Sequence, residues 1–252
     1  MQFASLGSGS KGNATLVRAG ATLVMVDCGF SLRETTRRLA RLGVAPHELD
    51  AILVTHEHSD HAGGVAKLSQ RHAIPIYLTH GTRTTGRLDG GHDYRCFNSE
   101  HSFSIGELAV HAVPVPHDAA EPCQFRFTWG DCSLGILTDL GSITPHVVDN
   151  FRSCRSLLLE FNHDLQMLLS GDYPAHLKRR VSGDWGHLNN DQAVDLLRQV
   201  GARALDHLVV AHVSEKNNSR ELAEQALLSV LDSLDGVVFA QQGDGFDWLQ
   251  LS

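Results

Sequence analysis

The sequence predicts a single α/β domain, and three observations carry that prediction. Short apolar runs closed by turn residues alternate with amphipathic stretches at helical spacing, the βαβα rhythm of sheets covered by helices. Candidate metal ligands recur where the apolar runs end. At 252 residues and 42% apolar content, the chain can bury one large core or two small ones, and no linker or low-complexity stretch divides it.

The first strand, Gln2 to Leu6, enters Gly7-Ser8-Gly9-Ser10-Lys11-Gly12-Asn13. That spacing is G-x-G-x-x-G, but a dinucleotide site needs a helix next. Here Ala14 to Val17 and Thr22 to Val26 read instead as a hairpin turning at Ala19-Gly20. Nor does a Ser or Thr follow Lys11, so this is no P-loop. The stretch is either a plain turn or a loop whose N–H groups line the mouth of a site, with Asn13 as a candidate supporting or substrate contact. The hairpin ends at Asp27, a helix cap or a brace for neighbouring ligands. Ser31 and Glu34 then form a capping box, Leu32, Leu39 and Leu42 mark one face of a helix, and Gly43 ends it. Arg33, Arg37, Arg38 and Arg41 lie mostly on the other side, by default a solvated basic face.

Ala51 to Val54 reads as a buried strand, and H-x-H-x-D-H follows as His56, His58, Asp60 and His61. In extended chain residues i and i+2 share a side, so His56 and His58 can hold one cation, while a helix starting near Asp60 leaves Asp60 and His61 facing a second. His61 to His72 reads as a helix, Ile74 to Leu78 as a strand, and Gly81 to Leu88 as a short helix. From Phe103 to Val115 the period drops to two, and prolines at 114 and 116 stop the strand where His117 is displayed. Phe125, Phe127 and Trp129 alternate in the next strand; Leu134 to Leu137 returns and leads to Asp139. Leu157 to Leu159 is a strand ending at Glu160, with His163 just beyond and a helix running to Leu169. Gly186-His187-Leu188-Asn189-Asn190 introduces a helix with Ala193, Val194, Leu196, Leu197 and Val200 on one face. Leu208 to Ala211 is a strand ending at His212. Asn218 and Glu221 cap a last helix carrying Leu222, Ala226, Leu227, Val230 and Leu234, and strands at 237–240 and 246–251 close the chain.

Composition excludes some functions. No apolar run approaches the ~20 residues a membrane helix needs, and no basic-then-apolar leader opens the chain, so a cytoplasmic protein is expected. The five cysteines are odd in number and never in a C-x-x-C pair, which fits reduced buried thiols. A net charge of −8 argues against indiscriminate binding to polyanions, although cations and local basic clusters can make one face attract phosphate.

Ligand-type residues at the ends of separate strands converge when those ends share one side of a sheet. With this pattern the chain resembles the metallo-β-lactamase fold superfamily over essentially its whole length. Ser8 to Asn13, Leu159 to Asp164, Gly186 to Asn190 and Ala211-His212-Val213-Ser214-Glu215-Lys216-Asn217-Asn218 are further similar to the YycJ (WalJ) group, in the nuclease-like branch that includes ribonuclease Z. The resemblance implies a four-layer αββα sandwich. It also implies two divalent metal ions: His56, His58 and His117 on one, Asp60, His61 and His212 on the other, Asp139 bridging. Imidazole and carboxylate donors suit zinc, and manganese accepts them too. Asp27 would brace the metal loop.

The activity implied is phosphodiester hydrolysis, foremost exonuclease-like on DNA or RNA, by a metal-bridged hydroxide. His187 assists the leaving group, and Asp60 acts from the metals. Glu160 and His163 are supporting groups or phosphate contacts. Lys178, Arg179 and Arg180 form a compact basic cluster, either a solvated helix end or a contact to the phosphate backbone. Residues 161–186 leave no room for an inserted β-CASP domain, and 140–156 none for the arm of ribonuclease Z. The other readings are a hydrolase of small cyclic or nucleotide phosphodiesters, a thioester or lactam hydrolase, and a metal-binding regulatory module without turnover. Oligomeric state stays open.

Overall fold

Both halves of the chain begin as antiparallel hairpins and then change to parallel pairing, because helices join their later strands. A computed structural model describes residues 1–201 and 205–251. The first half contains β1 (Gln2–Gly7), β2 (Ala14–Ala19), β3 (Thr22–Val26), α1 (Leu32–Arg41), β4 (Ala51–Leu53), α2 (Ser59–Ala62), α3 (Val65–His72), β5 (Pro75–Thr79), α4 (His80–Thr84) and β6 (Asp93–Phe97). The second contains β7 (Ser102–Ile105), β8 (Leu108–Pro114), β9 (Cys123–Trp129), β10 (Cys132–Leu137), α5 (Pro145–Phe151), β11 (Ser156–Glu160), α6 (Leu165–Ser170), α7 (Ala175–Val181), α8 (Asn190–Val200), β12 (His207–Ala211), α9 (Arg220–Leu227), β13 (Val237–Phe239) and β14 (Phe246–Gln250). One sheet has the order β14-β1-β2-β3-β4-β5-β6; the other runs β13-β12-β11-β10-β9-β8-β7. The last strand thus returns to the first sheet and pairs with β1.

Three apolar clusters account for four layers. Between the sheets lie Phe3, Val17, Val24 and Leu53 from one side and Val110, Phe125, Phe127, Leu134 and Val209 from the other. Outside the first sheet Leu16, Met25, Ile52 and Ile76 meet Leu39 of α1 and Leu68 of α3. Outside the second, Leu157, Leu159 and Val210 meet Phe151 of α5, Leu196 and Leu197 of α8 and Leu227 of α9. The αββα sandwich expected from the sequence is therefore the fold. Central strands such as β3, β4 and β11 are buried on every residue, which is why they read as continuous apolar runs rather than alternations.

Several elements differ from the sequence reading. The helix expected from His61 to His72 is two helices broken at Gly63-Gly64. There the backbone presses on the chain after β3: Gly64 N–H donates to the Cys28 carbonyl at 2.7 Å, and a Cβ on Gly64 would stand 1.9 Å from the Phe30 oxygen. Ser219, not Asn218, caps α9, because Asn218 Oδ1, the atom that would cap, already accepts the Ser219 N–H and an Asn190 amide hydrogen. That helix stops at Leu227, and Val230 and Leu234 pack on the same core from the turns beyond. The short helix placed at 81–88 is α4, started by Thr79 and ending at Thr84. Strand β6 and helix α5 escaped the reading. The first is a largely uncovered edge strand with no alternation, and the second is announced only by Thr144-Pro145, a cap followed by a proline at the first helical position.

The arginines of α1 are not a uniformly solvated face. Arg38, with an 11% exposed side chain, donates from Nη1 to the carbonyls of Leu6 and Gln242, pairs with Glu34 and lies over the Phe30 ring. Arg41 donates to the Ser5 carbonyl and to Asp247. These contacts tie the first helix to the chain's closing strand. Arg38→Ala should cost about 2–3 kcal/mol in chemical denaturation, since two charged-donor bonds and their buried carbonyls are lost together. Arg33→Ala, on the solvent side, should stay within about 0.5 kcal/mol of wild type.

Candidate metal centre

All the ligand-type residues sit just beyond strands, on one end of the sandwich. Asp27 follows β3, His56 and His58 lie between β4 and α2, His117 follows β8, Asp139 follows β10 and His212 follows β12. Parallel register sets two of these junctions. Val26 lies opposite Leu53, bringing Asp27 beside Thr55, and Glu160 lies opposite Ala211, beside His212. Asp27, Asp139 and His212 have φ of 59°, 55° and 50°, three of the five non-glycine residues with positive φ among those described. Such left-handed positions cost energy and gather at functional sites. Here they swing the side chain off the strand direction.

Outward hydrogen bonds fix which ring nitrogen of His56, His58, His61 and His117 faces inward. Thr55 Oγ1 gives its proton to Asp27 Oδ2 at 2.8 Å, so His56 Nδ1–H donates to Thr55 Oγ1 at 3.0 Å. That leaves His56 Nε2 buried without a partner. His58 Nε2–H donates to the Asp118 carbonyl at 3.2 Å, and His117 Nδ1–H to the Gly186 carbonyl at 3.0 Å. The two remaining nitrogens, His58 Nδ1 and His117 Nε2, then confront each other at 3.3 Å as two acceptors. Something positive is required between them. On the other side His61 Nδ1–H donates to Asp27 Oδ2 at 2.8 Å, and His61 Nε2 lies 3.1 Å from Asp139 Oδ2 and 3.6 Å from Asp60 Oδ2. Asp139 Oδ2 and His212 Nδ1 approach to 3.0 Å, yet neither makes a hydrogen bond, because the approach lacks hydrogen-bond alignment.

Donor atoms of His56, His58 and His117 lie within 4.8 Å of one another, as do those of Asp60, His61 and His212. Asp139 comes equally close to His56 and His61, and also to His187 and His212, so its carboxylate stands between the two triplets. Orphaned buried atoms and opposed lone pairs made of imidazole and carboxylate fit divalent cations. Burial holds the His56 and His117 rings below the usual histidine range. Burial also opposes charge on His61 and Asp139, but Asp139 and Asp27 push His61 well up, and His212 and His61 hold Asp139 well down.

Glu160, left undecided by the sequence, is a fully buried carboxylate with four donors. Oε1 accepts the N–H groups of Leu140 at 2.7 Å and Leu188 at 3.1 Å; Oε2 accepts from Asp139 N–H and His187 Nδ1–H, each at 3.1 Å. It therefore fixes the turn that carries Asp139 and the turn that carries His187. The His187 ring is 5.3 Å from both the His117 and His212 rings, centroid to centroid. Its Nδ1, 3.7 Å from Asp139 Oδ1, has its proton committed to Glu160, so Nε2 is the atom left for the cavity. Burial lowers this ring, but the Glu160 hydrogen bond and the charges of Glu160, Asp139 and Asp60 raise it to about 9. Asn13 does not line the cavity; it lies behind the loop, its amide donating to the carbonyls of Gly9 and Asp60, with His61 Nε2 3.1 Å away.

The cavity over these groups measures about 360 Å³ and is lined in part by His58, Asp60, Asp139, His187 and His212. Its mouth adds Ser10, from the glycine-rich stretch, and Tyr173, together with Arg87 and Asp118, which the sequence did not single out. Of the expected basic cluster only Arg180 lines it, bonded through Nε to Asp118 Oδ2 at 2.5 Å. Lys178 instead donates to the Leu169 carbonyl, and Arg179 is exposed outside the lining. His163 is buried with Nε2 unpartnered and does not line the cavity.

A family model described as "Beta-lactamase superfamily domain" matches residues 22–212. The chain belongs to the beta-lactamase superfamily. Within it, the chain is 32% identical to the exodeoxyribonuclease WalJ of Streptococcus pneumoniae over 93% of this chain and 89% of the relative. Against the exodeoxyribonuclease YycJ of Bacillus anthracis, identity is 31% over 92% of this chain and 89% of the relative. The metallo-beta-lactamase fold protein YhfI of Bacillus subtilis superposes with a TM-score of 0.77 at 16% identity, covering 99% of both chains. This superfamily member thus shares its frame with known metallo-beta-lactamase fold proteins and its sequence with two exodeoxyribonucleases.

Burial depresses His163 to about 4, with Glu160 pulling the other way. A histidine kept neutral by folding contributes full stability above its unfolded value near 6.5, and that stability is lost as pH falls through 6.5 toward 4. In metal-free protein the stability drop between pH 7 and pH 5, measured by urea denaturation, should be about 2 kcal/mol smaller for His163→Gln than for wild type.

Proposed function

We propose that this beta-lactamase superfamily member is a single-domain hydrolase of phosphodiester bonds in nucleic acid, working from strand ends with two divalent cations. The observation that carries the reading is His187, an oriented proton donor poised over two triplets of metal donors. Full-length likeness to two exodeoxyribonucleases supports it. His56, His58 and His117 would hold one cation, Asp60, His61 and His212 the second, and Asp139 both. Zinc suits this nitrogen-rich donor set best, and manganese is the alternative. When bound, such a pair supplies a water-derived nucleophile at neutral pH and offsets charge growing on the phosphoryl oxygens.

The chain's own residues supply the rest. Arg87 is exposed at the mouth with no ion partner among the described residues, and Arg180 stands across from it against Asp118. Both can take phosphate oxygens, and Arg180 can exchange a carboxylate for a phosphate of the same charge sign. As the imidazolium, His187 holds a proton at Nε2 for the departing oxygen as the phosphorus–oxygen bond breaks, and Glu160, accepting Nδ1–H, keeps the ring charged and in place. Asp27 holds His61 through Nδ1–H, and Asn13 holds the Asp60 carbonyl beside it. Reduced, dispersed cysteines and the absence of any helix able to cross a membrane among the described residues support the proposed cytoplasmic setting.

Activity should be measured on single- and double-stranded DNA, RNA, a chromogenic phosphodiester and a thioester. Chelation should abolish turnover, and zinc or manganese should restore it; turnover of the thioester alone would overturn the reading. His187→Ala should keep both metals by elemental analysis and lose ~10²-fold or more in kcat. A variant that loses a metal would instead make His187 a ligand. Arg180→Ala should raise KM for an oligonucleotide about tenfold, a contact worth about 1.4 kcal/mol, while Lys178→Ala should leave it within twofold.

A further inference from the structure

Three large apolar side chains are prominently exposed among the described residues: Leu169, Trp185 and Leu228. Trp185 is the most exposed, at 63%, and stands two residues before His187. A bare indole is an unusual surface group, because tryptophan is on average among the more buried residues. Nothing about the local backbone is loose. The Trp185 carbonyl accepts the Asp118 N–H at 3.0 Å, and Gly186 N–H donates to Gly183 at 2.8 Å. A Cβ on Gly141, two residues after Asp139, would stand 2.5 Å from the Trp185 Cα. The backbone at Trp185 is thus clamped between the segment that follows His117 and the one that follows Asp139. Only the ring is free, with no ring or cation partner among the described residues.

We infer that Trp185 is a stacking platform for an unpaired base next to the nucleotide being cleaved. This rests on the nucleic-acid reading of the site and adds what that site grips: a single strand rather than a closed duplex. Trp185 lies outside the cavity lining, but its carbonyl holds the Asp118 N–H and it adjoins Gly186, both lining residues, so an exposed indole next to that mouth matches how single strands are held, bases on aromatics and phosphates on positive charge. Arg180, five residues earlier, and Arg87 at the same mouth supply that charge. In a closed duplex the base next to the terminal pair is stacked on both faces and cannot use the ring, and only the terminal pair keeps one face open. Stacking on an indole ignores base identity, so the preference is for strand state, not sequence.

The test uses metal-loaded full-length protein and two fluorescent oligothymidylates of equal length, one normal and one with abasic residues at its end. Wild type should bind the normal strand about tenfold more tightly than the abasic one. Trp185→Ala should remove that difference by weakening only the normal strand, and Trp185→Phe should retain most of it. Binding of the normal strand should also quench tryptophan emission in wild type and do so far less in Trp185→Phe. Equal affinity of wild type for both strands, or an unchanged preference in Trp185→Ala, overturns the platform. So does a dimer in sedimentation that Trp185→Ala abolishes, since the ring would then be an interface residue. Failure of wild type to cleave any polynucleotide is a separate result that overturns the nuclease reading itself.

Discussion

Two buried carboxylates must each be given hydrogen-bond donors, and the site depends on that requirement. Asp27 is filled by Thr55 N–H, Thr55 Oγ1–H and His61 Nδ1–H; Glu160 by three backbone N–H groups and His187 Nδ1–H. An unfilled buried carboxylate is expensive, so the surrounding turns hold the geometry that fills it. Asp27 thereby fixes the H-x-H-x-D-H loop at the first sheet, and Glu160 fixes the Asp139 and His187 turns at the second. The candidate donors His56, His58, His61 and His117 are left with a ring lone pair inward because their other ring nitrogens are already committed.

Strain and packing reinforce this arrangement. The left-handed backbone at Asp27, Asp139 and His212 is held by strands buried on both faces, which give those junctions no room to relax. Close backbone contacts do the same for the helices: a Cβ on Gly29 would stand 1.8 Å from the Asp60 carbonyl oxygen, so the chain after β3 and the metal loop touch directly. The donors at the strand ends are thus rigidly held, while Arg87 and Arg180 at the mouth are exposed.

That division matches the difference in how residues advertise themselves. The metal loop was legible because four ligands fall within six residues after an apolar run, a density that a merely solvated loop rarely reaches. His117, Asp139 and His212 were legible as single polar residues at strand ends once the loop gave them a purpose. Glu160 was visible but not interpretable, since its four donors come from positions 20 to 28 residues away. The lysine and arginine cluster read as one unit in sequence, yet helical geometry sends Lys178 to a carbonyl, leaves Arg179 outside, and turns only Arg180 to the cavity.

By itself the sequence determined the αββα layering, most strands and the donor set, because hydrophobic period and ligand spacing are short-range properties of a chain. Its errors were local too: a helix run through Gly63-Gly64, a cap misplaced by one residue, an edge strand without alternation. Only the tertiary structure decided which nitrogen of His56, His58, His61 and His117 faces inward, that Arg41 ties the first helix to the last strand, and that Trp185 stands bare two residues before His187. Each of these depends on contacts between segments tens to hundreds of residues apart, whose meeting is set by sheet order and register rather than by any neighbour in sequence.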